Sequence, residues 1–416
     1  MQPLEQINPQ QLVEQAERWR SEIVAFTQEL IRTPSLTGQE GALAELLASK
    51  MRELGYDQVV IDELGNCVGR IRGAQTGPSV LFSVHLDSAE AGDRSQWQFD
   101  PYGAELQDGF LHGRGASDHK AALAAMVYAG ALLKRLGVPL AGDFVLGATV
   151  LHHQRASLGM RFLADRTLPG LGVHCDLAVL GNPTNTEVYL GHRGRVELNV
   201  STVGRTCYAG APWLGSNAIY KMMPVLQGIQ ELSTALPSHP YLERSTLAVT
   251  AMHTLPDSTE LIPDRCTLTL DRRFLPSESV DEATWQVQSI LNRLSAQDPE
   301  FKGEVHVRQS AVTAYTGLSQ SAPQLLHPFI TDSSHALVQQ ALGALQAVGQ
   351  EPRLGRWLFA TDGGYLSTVK NLTTLGYAPG DERFAQTPFD RVAVEKLIQS
   401  VSGYAAIAQN VAGPSA

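Results

Sequence analysis

Ser79-Val-Leu-Phe-Ser-Val-His-Leu-Asp87 starts as an apolar run and ends on two residues suited to serving a metal ion. Ser79–Val84 is apolar enough to be a strand buried on both faces. His85 and Asp87 close it, and strand side chains two apart point the same way. An imidazole ligand needs its second nitrogen held, commonly by a carboxylate, and the ends of parallel strands are where sites collect. Taken alone, the pair leaves a structural or solvent-facing role open. Gly113-Arg-Gly-Ala-Ser-Asp118-His-Lys120 then sets a carboxylate between a glycine-rich turn and a long helix. Asp118 there either bridges metal ions or caps the helix.

Working outward, Asn8 and Pro9 open a helix whose apolar spacing runs from Leu12 to Ile31. Gln39–Leu54 reads as a second amphipathic helix that stops at Gly55. Strand signals follow at Asn66–Ile71, Phe144–Leu151 and Asp176–Leu180, with an Ala-rich helix at Lys120–Leu136 and a short one near Met160–Ala164. This alternation predicts a three-layer α/β sandwich with a mostly parallel sheet. Past Gly191 the period changes. Arg195–Val203, Thr246–His253, Arg265–Phe274 and Glu304–Val307 read as strands, the first three alternating polar and apolar residues. Helices at Asn217–Leu236 and Val280–Leu294 lie among them. These segments predict an α+β unit with a four-stranded antiparallel sheet, inserted into the larger domain. The expected division is 1–192, 193–312 and 313–416.

Composition narrows the function. The chain has 416 residues, 43% of them hydrophobic, and a net charge of −10 without a long Lys/Arg run. That argues against a nucleic-acid or anionic-membrane surface. No apolar stretch reaches the roughly 18 residues of a membrane helix. The N-terminus lacks the basic and apolar regions of a signal peptide, so a cytoplasmic protein is expected. Cys67, Cys175, Cys207 and Cys266 form no CxxC pair and read as free thiols.

Six segments carry a resemblance, in order: Val84–Asp87, Trp97–Lys120, Gly181–Leu198, Cys207–Met222, Leu270–Glu278 and Gly376–Val392. Together the chain resembles, from about Ile23 to Ile407, the zinc-dependent aminoacylase, acetylornithine deacetylase, desuccinylase and carboxypeptidase family. Within it, the chain is most similar to the hydrolases linked to selenium metabolism. The resemblance implies a catalytic domain for two zinc ions and an inserted lid that pairs two subunits. It also implies that the lid delivers a partner's His to the substrate. His85 matches the first zinc ligand, Asp87 its orienting carboxylate and Asp118 the bridge. Elsewhere the match breaks. Aligned through Ser157-x-Gly159, His153 stands at the general base and Gln154 at a ligand glutamate. Asn182 stands at the next ligand carboxylate, Gln386 at the last zinc His, and Tyr208 at the lid His.

Zinc sites select His, Cys and carboxylates, not neutral amides. The expectation is therefore a protein that has lost two-zinc hydrolysis and carries no metal. It would bind a small amino-acid-like carboxylate or a protein partner, as a homodimer joined through the lid. The alternative is an active hydrolase or lyase on an N-acyl or N-carbamoyl amino acid or peptide. It would use no metal, or one zinc at His85, Asp118 and His153. His153 would be its base, and Tyr208 a hydrogen-bond donor to an oxyanion. Asn217, ahead of the lid helix, either caps it or holds a ligand carboxylate. Arg272 and Arg273 either grip a carboxylate or form salt bridges. Gly363 and Gly364 mark tight turns near the cleft.

Overall fold

The computed structural model describes residues 7–414 except 155. Its larger sheet has eight strands in the order 58–61, 67–71, 144–149, 80–85, 177–180, 373–376, 188–189, 354–355. The four central strands, Phe144–Thr149, Val80–His85, Leu177–Leu180 and Thr373–Gly376, run parallel. Each is buried on both faces, as a parallel strand between helical layers must be. Alternate residues feed different layers. Val80, Phe82, Val84, Phe144 and Leu146 join the core under the long helices Ala121–Leu136 and Val394–Ala412. Leu81, Val145, Ala178 and Leu180 join a smaller core with Met160, Leu163 and Trp357 on the other face. This is the expected three-layer sandwich.

The second sheet is antiparallel, in the order 246–255, 265–274, 194–203, 302–307. Helices Ala218–Thr234 and Val280–Gln297 cover one face through Met222, Val225, Val287 and Leu291. Leu325–Leu326 adds a short fifth strand after residue 312. Two elements differ from expectation. The opening helix is broken at Trp19 into Pro9–Arg18 and Arg20–Arg32, with Trp19 edge-on to Tyr128. The Ala-rich helix begins only at Ala121, after a wide π-type turn over Ala116–Lys120 that follows left-handed Gly115. No helix among the described residues is long and apolar enough to cross a membrane.

Candidate functional site

The carboxyl ends of the central parallel strands converge on a cluster of four histidines and three aspartates, where an open α/β sheet places its site. His85 is the last residue of its strand, in register with Thr149. Its Nδ1–H donates to the Asp87 main-chain carbonyl at 2.8 Å, which turns Nε2 toward Asp118, 3.8 Å away. Burial opposes a charge on His85, yet Asp87 and Asp118 outweigh it and lift the ring to about 9.

Asp87 has a wider task than orienting one ring. Its carboxylate accepts the main-chain N–H groups of His152 and His153 at 3.0 and 2.8 Å, and the Thr37 hydroxyl at 2.9 Å. It thereby fixes the turn that carries both histidines. Burial disfavours its charge, but the rings of His153, His85 and His152 hold it well below the usual carboxylate range. The His152 ring lies flat on His85, with centroids 4.2 Å apart, and its Nδ1 meets Asp362 at 2.8 Å.

Asp118 is buried inside the wide turn and is not a helix cap. Asp390 does that work instead, accepting the N–H groups of Gly115 and Ser117 at 2.8 Å each. Burial raises Asp390 to about 7 against those two donors. Asp118 is left free to face three imidazole nitrogens: His85 Nε2 at 3.8 Å, His119 Nδ1 at 3.9 Å and His153 Nε2 at 3.9 Å. All three nitrogens are buried without a hydrogen-bond partner. Burial depresses His119 to about 3 and His153 to about 4, so both rings are neutral at neutral pH. The atoms of His85, Asp118 and His119 lie within 4.8 Å of one another, the one such group among the described residues. The group takes in His119, whereas the sequence reading of a one-zinc site used His153, whose Nε2 lies equally near Asp118.

The replaced positions behave differently. Gln386, in left-handed backbone at φ 62°, donates its amide N–H to Asp118 Oδ2 at 3.3 Å. The Gln154 carbonyl accepts from Ser310 at 3.3 Å. Asn182 is buried just beyond the strand Leu177–Leu180. A cavity of about 310 Å³ opens beside His153 and Gln386, walled by Leu36, Thr37, Ser88 and Glu90.

The substrate-side expectations divide. Tyr208 is 65% exposed in the second sheet's domain and is not among the residues gathered around Asp118. Asn217 is a cap: its side-chain oxygen accepts from Ile219 N–H at 2.8 Å. Arg272 takes the salt-bridge side of its two readings. It shares the inward face of its strand with Cys266, Leu268, Leu270 and Phe274, and its guanidinium is held by Glu278. Arg273 points the other way, paired with Asp271 at 2.6 Å. Gly363 and Gly364 follow Asp362. A side chain on Gly364 would collide with the His327 carbonyl, so close approach, not unusual backbone, requires glycine.

Fold and site together define a metallohydrolase scaffold. The chain belongs to peptidase family M20/M25/M40, whose model matches residues 81–410. It is 28% identical over 398 residues to the uncharacterised protein YgeY of Escherichia coli K12, covering 95% of this chain and 96% of that one. It is 30% identical over 284 residues to a succinyl-diaminopimelate desuccinylase of Dinoroseobacter shibae, covering 66% and 73%. The fold matches YxeP of Bacillus subtilis, described as a dinuclear metal-binding peptidase of the M20 family. The TM-score is 0.71 at 13% identity, covering 95% of this chain and 99% of that one. A dinuclear centre does not fit the residues present. On the side of Asp118 away from His85 an amide N–H already points at the carboxylate, and a cation cannot share that position with a donor.

Proposed function

We propose that this chain has lost the two-metal amide hydrolysis of its family and keeps the cleft to bind a small, carboxylate-bearing, amino-acid-like ligand. The observation that carries this is the Gln386 N–H donated to Asp118 Oδ2, where a bridging carboxylate would need a second cation. Asn182 and Gln154 remove two further carboxylates from the set that the resemblance implies. The ligand class draws support from the Dinoroseobacter relative, whose name specifies a succinylated amino acid. A lid-mediated homodimer is part of the proposal. The edge strand Thr246–Leu255 bares Val249, Met252 and Leu255, and the adjoining helix bares Met223.

The test pairs two assays on one panel of N-acetyl, N-succinyl, N-formyl and N-carbamoyl amino acids. Thermal shift is expected to show stabilisation by at least one of them. Amine release with added zinc is expected to stay at background. Zinc-dependent turnover would refute the proposal, and no stabilisation across the panel would remove its ligand class.

One observation favours a second reading, an active enzyme with His153 as base. His153 Nε2 is unpartnered and its ring lines the 310 Å³ cavity. Against it, a base depressed to about 4 has little driving force for taking a proton from water near neutrality. Turnover abolished by His153→Phe would establish this reading.

A further inference from the structure

We infer that the cleft retains one divalent transition-metal site, built from His85, Asp118 and His119, with His119 as a ligand. Of the proposed function it uses only the loss of the second metal position.

The donor set comes first. Two imidazoles and one carboxylate converge with their ligand atoms within 4.8 Å of one another. Zinc at about 2.0–2.1 Å from each donor sets tetrahedral ligands roughly 3.3 Å apart. The Asp118 contacts, 3.8 Å from Oδ1 to His85 and 3.9 Å from Oδ2 to His119, must each close by about half an ångström.

The second observation is independent of spacing. His85 and His119 are 2% and 0% exposed, and the nitrogens they turn toward Asp118 have no hydrogen-bond partner. A folded protein rarely buries two such atoms side by side without something to receive them. Their other nitrogens are engaged: His85 Nδ1 by the Asp87 carbonyl at 2.8 Å, and His119 Nε2 by Ser88 Oγ at 3.4 Å. Outer partners of this kind set which nitrogen faces an ion. Asp118, relieved of capping by Asp390, turns toward His85 an Oδ1 that has no other donor among the described residues, while Oδ2 lies near His119 and takes the Gln386 N–H.

Three protein ligands leave coordination positions open, as in catalytic rather than structural zinc sites. Such a set also suits other borderline divalent ions. His153 contacts Asp118 but lies outside the mutually close group, so it borders the ion without holding it.

The experiment uses the full chain, stripped with chelator and titrated with Zn²⁺ and then Co²⁺. Elemental mass spectrometry is expected to give about one Zn²⁺ per chain, and bound Co²⁺ the visible absorption of a low-coordinate N/O site. His119→Gln keeps an amide for Ser88 and removes Nδ1. It is expected to weaken binding at least about a hundredfold, more than an outer-shell change would. His153→Ala is expected to retain the ion. Imidazole ¹⁵N shifts of the unaltered protein, expected to move for His85 and His119 on adding Zn²⁺, answer the case of a misfolded variant. No ion at saturating Zn²⁺ would overturn this inference and leave the proposed function standing. Two ions per chain would overturn both. One ion retained by His119→Gln and lost from His153→Ala would overturn the assignment to His119.

Discussion

Glu40→Gln is expected to stabilise the protein in a pH-dependent manner. Glu40 is fully buried, and one carboxyl oxygen accepts the Leu151 N–H at 3.1 Å while the other has no partner. Burial, reinforced by the charge of Asp87, lifts its pKa from 4.5 to about 7. The folded state therefore holds a proton that the unfolded chain releases between those values. Unfolding loses protons in that window, so stability falls as pH rises through it and levels off above about 7. A rise from 4.5 to about 7 corresponds to about 3 kcal/mol. Gln cannot ionise and preserves the acceptor for Leu151. The variant should match the wild type near pH 4 and exceed it by up to about 3 kcal/mol at pH 8. Paired urea or thermal unfolding at both pH values reads the difference, and the pairing cancels every other carboxylate. A difference that did not change with pH, or that favoured the wild type as pH rose, would refute the reasoning. The residue matters to the site because Leu151, itself at φ 61°, leads directly into His152 and His153.

Three shorter predictions follow. Restoring the family pattern with His153→Glu, Gln154→Glu, Asn182→Glu and Gln386→His should raise zinc content by one ion per chain, read by elemental mass spectrometry. An unchanged content would mean that the cleft has altered beyond its ligands. Val249→Lys combined with Met223→Glu should halve the mass seen by light scattering, because both residues lie on the bared apolar face of the lid. A retained dimer would put the interface elsewhere. Gly380→Ala should lower the melting temperature and disturb metal binding together. A Cβ there would collide with the Ser117 carbonyl, one residue before Asp118. Unaffected metal binding would show that the turn tolerates the shift.

Much of this was legible in the sequence, for a definable reason. Periodicity reports which face of an element is buried, so Val80–His85 and Arg265–Phe274 emerge nearly at their true bounds. The same alternation already grouped Arg272 with Cys266, Leu268, Leu270 and Phe274, the side that became core. That position is where the salt-bridge reading of Arg272 leads, with Glu278 as its partner. Other residues left no local signal. Asp390 reaches Gly115 across 275 residues, and Asp362 reaches His152 across 210. His119 was hidden differently. On an ordinary helix adjacent side chains do not face each other, so a His directly after Asp118 reads as pointing elsewhere. The wide turn over Ala116–Lys120 breaks that rule and brings His119 Nδ1 to 3.9 Å from the carboxylate beside it.

That local geometry also sets the charge balance of the site. Neutral amides stand at Asn182, Gln154 and Gln386, so the negative charge of the cluster rests on Asp87, Asp118 and Asp362, all held ionised despite burial. Three buried carboxylates need positive charge nearby, and without two dications it must come from imidazoles or from one ion. His85, lifted to about 9 against burial by Asp87 and Asp118, supplies part of it. His152 is hydrogen-bonded to Asp362, while His119 and His153, both depressed by burial, flank Asp118 without a charge to offer. The remaining charge is what the single ion inferred at His85, Asp118 and His119 would supply.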